Sequence, residues 1–593
     1  MLKSSSPSIR SAIRSIAHAG ILLAIVAASA ALYLHRLDFA PPSIQIDEAI
    51  IAINAHQIAT TGRDLRGELL PLYAQTAAHS WYQPMVIYLT AAMLEVAPIS
   101  EWSIRIPAVF MGVLGIGLMF VVTRLATQSL VISTAAAAML ALTPSLFVHS
   151  RYAMDYHYPV PFILGWLYCL LRFDVTRRLP WLIAACAILG VGFYCYISSI
   201  VMMPVYFAMT LMWLYIRREP PRSFAAATAG MAPLLVPFLV WIALHPQAYS
   251  ATVDKYGLYN PNDLNLVQGM RSAFSFLSVG QRLSQYWNYY DPSLLFFGSG
   301  IKVQFSTNLV GVFLLPMAFF MLVGLYAALR RRAEPFYLMI LLGFVTAPIA
   351  ASIPTEENAI FRALGLLPFG VLLAAVGLQH LWQLAAPPSV RLGLQGAGVL
   401  AAVTGLGYAA VQGQLTESAL PLACVGALMF LVGRLAPPVL AMRLLAGSLL
   451  LLLPMQFSLF WNDYFSSYRE RVSFWLGGNI RGVLEEVIDQ DRVDAPVTVY
   501  FAPLTSTSGQ LDWRNGYIDS YWRFYLLKHQ RTDLLARTHT VNGDALSSIE
   551  PGSIVVTNLE NAQAAALVKS GALREVTRIY ELDSKPFFVV LRK

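Results

Sequence analysis

Two adjacent acids, Asp47 and Glu48, stand in the run Gln45-Ile46-Asp47-Glu48-Ala49-Ile50-Ile51, just after the first apolar stretch of the chain. The residues after the pair read as a short helix that stops near Gly62. An aspartate at that place is a common helix cap. The cap does not exclude chemistry, because a helix N-terminus favours the carboxylate form and keeps the group ionised. An ionised carboxylate can take the proton of an attacking hydroxyl, which suffices when the leaving group is good. Asp47 is therefore a candidate catalytic base, and Glu48 is either a second acid there or an ordinary first-turn acid. Asp155, in Arg151-Tyr152-Ala153-Met154-Asp155-Tyr156-His157, is a third candidate. Its plainer reading is an ion pair with Arg151, one helical turn away.

Two cations invite the opposite chemistry. Arg362, in Asn358-Ala359-Ile360-Phe361-Arg362-Ala363-Leu364-Gly365, carries a planar fork that matches phosphate oxygens and cannot lose its charge. It also reads as an anchor that snorkels from the end of a span. Lys302, after Leu295-Phe296-Phe297-Gly298-Ser299-Gly300, is a candidate of the same kind. His79 and His157 suit a membrane interface better than a metal, since no HxxxH, HxxE or DxD spacing accompanies them. The four cysteines, Cys169, Cys186, Cys195 and Cys424, lie in apolar runs and read as buried small hydrophobes. No metal and no cofactor is expected.

The elements that must position these groups are membrane spans. The chain has 593 residues, 57% hydrophobic and only 12% charged, against about 25% charged in ordinary soluble domains. A window near 20 residues finds about 13 spans. They lie roughly at 17–35, 104–123, 130–149, 159–172, 181–197, 200–216, 224–245, a stretch ending at Arg330, 336–352, 364–382, 392–411, 418–434 and 438–458. The basic N-terminus followed by an apolar run resembles a signal peptide, but an uncleaved first span is expected with so many spans behind it. Residues 36–102 form a first loop containing the Asp-Glu pair, and residues 246–308 form another long loop on the same side. Residues 85–97, bounded by Pro84 and Pro98, are apolar but too short to cross and are placed flat in the interface. With the N-terminus inside, the arginines at 172–178, 217–222 and 330–332, with Arg391, Arg434 and Arg443, all fall on the cytoplasmic side. The short outer loops carry Arg151 and Arg362 against that rule. The net charge of +8 thus sets topology and is no nucleic-acid signature. From residue 462 the composition turns polar, with strand-like runs at 497–501, 553–557 and 587–591 and amphipathic stretches at 480–488 and 562–568. The fold class expected is an α-helical polytopic membrane protein, residues 1–461, carrying an outer α/β domain, residues 462–593.

In this order the motifs resemble the GT-C glycosyltransferases, in particular the bacterial branch of the protein O-mannosyltransferase and lipid A aminoarabinose transferase superfamily. The resemblance rests on the Asp47-Glu48 pair after the first span and on Thr61-Gly62-Arg63-Asp64-Leu65-Arg66-Gly67. It continues through Tyr82-Gln83-Pro84, Arg105-Ile106-Pro107, Arg151 to Asp155, residues 289–297 and Arg362 to Pro368. It covers roughly residues 15–385. It implies a polyprenyl-phosphate-sugar donor and an inverting transfer at the outer face of a bacterial inner membrane. The acceptor would be a hydroxyl or phosphate of a lipid, a glycan or a protein. Asp47 would be the base, and Arg362, with Arg151 or Lys302, would stabilise the departing lipid phosphate. The chain departs from the aminoarabinose transferases at two places. They carry a lysine where this chain has Gln83, and an acidic metal ligand where it has Tyr82.

Two other functions compete. A transporter or flippase of lipid-linked saccharides would place ionisable residues inside spans or show inverted repeats; here the spans are almost free of acids. A metal-dependent enzyme of the oligosaccharyltransferase kind would need metal-ligand spacing that the sequence lacks.

Overall fold

The structure is a computed structural model that describes residues 9–75, 81–256, 266–273, 275–354, 356–412, 419–491, 496–506, 508–541 and 543–593. A helix stands at each of the thirteen expected span positions. Eight helices, among them Glu101–Thr127, Pro159–Thr176, Pro221–Leu244 and Pro438–Tyr464, are long and apolar enough to cross a membrane. Others, such as Leu130–Ala141, Leu179–Gly192 and Leu315–Arg330, are shorter apolar helices. Proline opens many of these helices: Pro84, Pro144, Pro159, Pro221, Pro335 and Pro438 all lie in the first turn. There the missing N–H has no intrahelical partner to lose. The same chemistry splits the third expected span. Its helix stops at Ala141 and restarts at Pro144, because the residue before a proline resists the helical region.

The first long loop holds the helix Ile46–Thr61, which ends on Gly62 at φ 71°, a left-handed conformation that glycine adopts without steric cost. The short ladder β1 (Ala74–Gln75) and β2 (Trp81–Tyr82) is antiparallel and leads into the helix Pro84–Leu94. That helix begins at Pro84 and falls on the apolar stretch 85–97 read from the sequence.

The C-terminal part is a β-containing domain. Its strands are β3 (Val499–Phe501), β4 (Thr538–Thr540), β5 (Ile554–Asn558), β6 (Arg574–Tyr580) and β7 (Pro586–Arg592), in the order β4-β3-β5-β7-β6. β3 runs parallel to β4 and β5, whereas β7 is antiparallel to β5 and β6. The helices Ile480–Gln490 and Ile518–Lys528 cover one face through Leu484, Val487, Trp522 and Phe524. That core is continuous with Ile44, Ala49, Ala52 and Ile53 of the first loop. The opposite side of the Ile46–Thr61 helix, through Ile51, Ala55 and Ile58, joins the core of the membrane helices. One short helix is therefore clamped between the two halves of the molecule.

Candidate active site

Asp47 and Glu48 occupy the first turn of the clamped helix. Glu48 turns back, and its carboxylate accepts the Gln45 N–H at 2.8 Å. Its side chain is completely buried and paired with Arg105, Nε to Oε1 at 3.0 Å and Nη2 to Oε2 at 3.3 Å. It also accepts the Ala153 N–H at 2.7 Å. Arg105 itself donates to the carbonyls of Leu37, Pro41 and Ser43 at 3.0, 3.1 and 2.9 Å. Glu48, expected as a second catalytic acid, is thus a tie between the first loop, the second loop and the helix Glu101–Thr127. Asp47 points elsewhere: its Oδ1 accepts the Tyr82 hydroxyl at 2.5 Å.

Arg151 and Asp155 do not form the expected local pair. The Arg151 guanidinium is buried and donates to the carbonyls of Ala40, Tyr33 and Arg36 at 2.8, 2.6 and 2.9 Å. It also lies over the rings of Phe465 and Phe147, 5.1 and 5.2 Å from their centroids. It is therefore not presented to a phosphate, because its donors already hold the backbone after the first span. Asp155 is also buried, 7% exposed. Burial pushes its carboxyl up to about 8; a backbone hydrogen bond opposes the rise, Asp47 adds to it and Lys255 pulls it back. The two acids therefore share one electrostatic neighbourhood.

Arg362 belongs to that neighbourhood. It ends the turn Ile360–Arg362, pairs with Glu356 at 2.6 Å and lies over the Tyr256 ring, 5.1 Å from its centroid. Its Nη1 is buried and has no hydrogen-bond partner. Lys302 reaches the same place indirectly, through an ion pair with Glu356. Lys255 closes the group. Burial draws its ammonium below the ordinary value; Asp47 opposes that shift, Arg362 adds to it and Asp155 opposes it. A cavity of about 210 Å³ lies against Arg362 and Tyr256, walled mainly by apolar side chains including Ile197, Ile200, Val201 and Ile353. An apolar cavity ending at a cation with an unused donor suits an amphiphilic anion.

The chain is similar to a family of known sequence over one segment and to solved structures over nearly its full length. Residues 79–243 match the family model of dolichyl-phosphate-mannose-protein mannosyltransferases. The whole chain superposes on the crystal structure of ArnT from Cupriavidus metallidurans bound to undecaprenyl phosphate, with a TM-score of 0.53 at 16% identity. That match covers 96% of this chain and 98% of the other. The apo form of the same protein gives 0.52 at 15% identity, covering 97% and 98%. The chain has the GT-C fold. A search of curated proteins by sequence finds no match.

Of the candidates read from the sequence, Asp47, Asp155 and Arg362 act on the same Lys255, whereas Glu48 is engaged by Arg105 and Arg151 by backbone carbonyls. Sequence reasoning missed Lys255, Tyr256 and the Tyr82 bond to Asp47. Lys255 carried a signal: a lysine in a loop expected on the outer side runs against the inside bias of basic residues. The metal set of the aminoarabinose transferases does not fit these residues. Tyr82, at the position of their acidic ligand, gives its hydroxyl to Asp47. Among the described residues no three His, Cys, Asp or Glu side chains converge on one point. His157 is buried against the Ala108 carbonyl at 2.8 Å. His79 lies outside the described residues.

Proposed function

We propose that the protein is an inverting glycosyltransferase that moves a sugar from a polyprenyl-phosphate donor to a hydroxyl or phosphate of a lipid, glycan or protein acceptor. The reaction takes place at the outer face of a bacterial cytoplasmic membrane. Residues 1–461 form the transferase unit and residues 462–593 an outer α/β domain. The observation that carries this reading is the convergence of Asp47 with Lys255 and Arg362 beside an apolar cavity.

In the reaction the acceptor oxygen attacks the anomeric carbon from the side opposite the phosphate. Asp47 takes the proton of an acceptor hydroxyl, the bond between the anomeric carbon and the phosphate oxygen breaks, and its electron pair leaves on the phosphate. Arg362 meets the growing charge there, with Lys302 held behind it through Glu356. Fixed cations at the point where charge develops lower the barrier. Asp155, whose carboxyl burial pushes up to about 8, adds no second negative charge near Asp47 below that pH.

The test is transfer of radiolabelled sugar from polyprenyl-phosphate donors by the purified protein. Asp47→Asn is expected to lower the rate by about 10²–10⁴-fold, and Arg362→Ala by about 10²–10³-fold, both at normal expression and with EDTA present. Undiminished transfer in Asp47→Asn would remove that residue from the chemistry. Movement of the intact lipid-linked sugar across liposomes, without transfer, would establish a flippase.

A further inference from the structure

Three apolar helices end together on the side of the molecule away from Asp47. The helix Ile9–Leu34 runs towards the first long loop, whereas Glu101–Thr127 and Pro159–Thr176 run away from the outer loops that precede them. The start of the first helix therefore lies beside the ends of the other two, and a cavity of about 360 Å³ opens between them. Its lining falls into two layers. His18, Arg124 and Arg172 form one, at the helix ends, and Leu22, Phe120 and Tyr168 form the other. In each helix the two residues stand one turn apart on the same face, so the apolar layer lies about 6 Å deeper along the spans. The cavity has a cationic mouth and an apolar floor.

Both arginines hold donors that no group among the described residues takes. Arg124 Nε and Nη1 and Arg172 Nε are buried and have no hydrogen-bond partner. The Arg172 guanidinium lies 5.0 Å from the centroid of the Trp181 ring, which holds it from one face. Buried polar atoms are almost always satisfied, and arginine offers donors only, so the missing partner is an acceptor. The chain does not bring a carboxylate there. The acids at this end of the helices, Asp174 and Glu219, are engaged by Arg177 and Arg217, and the sequence has no Asp or Glu before Asp38.

The helix Ile9–Leu34 buries little of its apolar window 17–34 inside the protein, so one wall of the cavity borders lipid. The inside bias of arginine assigns this end of the spans to the cytoplasmic leaflet, whose surface is anionic. We propose that the cavity is a binding site for the head group of an anionic phospholipid. Its phosphodiester takes the unused donors of Arg124 and Arg172, and the first carbons of its acyl chains lie on Leu22, Phe120 and Tyr168. A free phosphate ion would satisfy the donors but leave the apolar layer bare. A zwitterionic lipid brings the same phosphodiester without the net charge that two cations favour. Arginines that only snorkel keep their donors in water, whereas these are buried. The site is separate from the chemistry at Asp47 and does not depend on it.

Native mass spectrometry of the purified full-length protein, titrated with phosphatidylglycerol and with phosphatidylcholine, tests it. Each cation at an anionic head group strengthens binding about fivefold, so the wild type is expected to prefer phosphatidylglycerol by about 25-fold. Arg124→Gln and Arg172→Gln are each expected to lower that preference to about fivefold, and the two together to remove it. Where the double variant does not fold, the single variants carry the test. Arg330→Gln with Arg332→Gln, which removes two arginines of the same side from outside the cavity, is expected to leave the preference unchanged. No preference in the wild type, a preference that both single substitutions leave intact, or one that the Arg330 and Arg332 pair lowers equally overturns the assignment. Displacement of phosphatidylglycerol by an equal concentration of inorganic phosphate would mark a site for a free anion and overturn the lipid.

Discussion

Two successive carboxylates at one helix start are told apart by what they touch, since Asp47 accepts a tyrosine hydroxyl whereas Glu48 is locked to Arg105 in the core. Removing one member of a buried ion pair leaves an uncompensated charge and costs about 3–5 kcal/mol. Glu48→Gln is therefore expected to lower the thermal melting temperature sharply. Asp47→Asn is expected to leave melting near the wild type while lowering transfer by about 10²–10⁴-fold. A melting curve of Glu48→Gln indistinguishable from wild type would show that the pair is not needed. Asp155 makes a pH prediction. Below about 8 its carboxyl holds its proton; above that it becomes a second anion in the neighbourhood of Asp47, so transfer is expected to fall as pH rises through 8. Asp155→Asn is expected to flatten that limb of the profile. The folded carboxyl holds its proton more tightly than the ordinary value of 3.8, so this group lowers stability as pH rises from about 4 to about 8. Thermal melting over that window measures the same shift. The place of Asp47 in the first turn of a helix after a span was legible from the sequence. The structural fate of Glu48 was not, because it depends on an arginine 57 positions away.

The elements were legible wherever they depended on local pattern. The strands at Val499–Phe501, Ile554–Asn558 and Pro586–Arg592 fall on the three runs read as strand-like, because alternation and β-branched residues are local properties. The contacts between elements were not legible. Lys528, at the end of the helix Ile518–Lys528, meets Glu101 at 3.0 Å and Glu485 at 2.7 Å, which joins the C-terminal domain to the start of the helix Glu101–Thr127. Charge-assisted bonds of this kind contribute about 1.5–3 kcal/mol. Lys528→Glu reverses the sign and is expected to cost at least that much in melting stability, with partial recovery in the double variant Lys528→Glu with Glu101→Lys. Absence of coupling between the two substitutions would mean that the contact does not hold the domains together.

On the scale of the whole molecule, the C-terminal domain is part of the architecture of the site. Its apolar core is shared with Ile44, Ala49, Ala52 and Ile53, the Ser43 hydroxyl donates to the Gly478 carbonyl at 3.0 Å, and the Tyr468 hydroxyl donates to the Gln304 carbonyl in the middle loop at 2.5 Å. A chain cut after Tyr464 would expose that apolar face of the helix bearing Asp47. It is expected to lose monodispersity on size-exclusion chromatography together with transfer. A truncated chain that stays monodisperse and transfers at the wild-type rate would show that the shared core is dispensable. The sequence by itself determined the membrane character, the positions of the helices that form the spans and the presence of a β-containing tail. Each of these rests on the hydropathy, charge and periodicity of a segment taken alone, because the cost of placing a segment in a bilayer depends on that segment. The tertiary structure decided which acid is tied into the core, that Arg151 holds backbone carbonyls, that Lys255 and Arg362 share one electrostatic neighbourhood with Asp47, and that an apolar cavity ends at Arg362. Those outcomes depend on which buried polar atom finds which partner, and the partners come from spans and loops far apart in the chain.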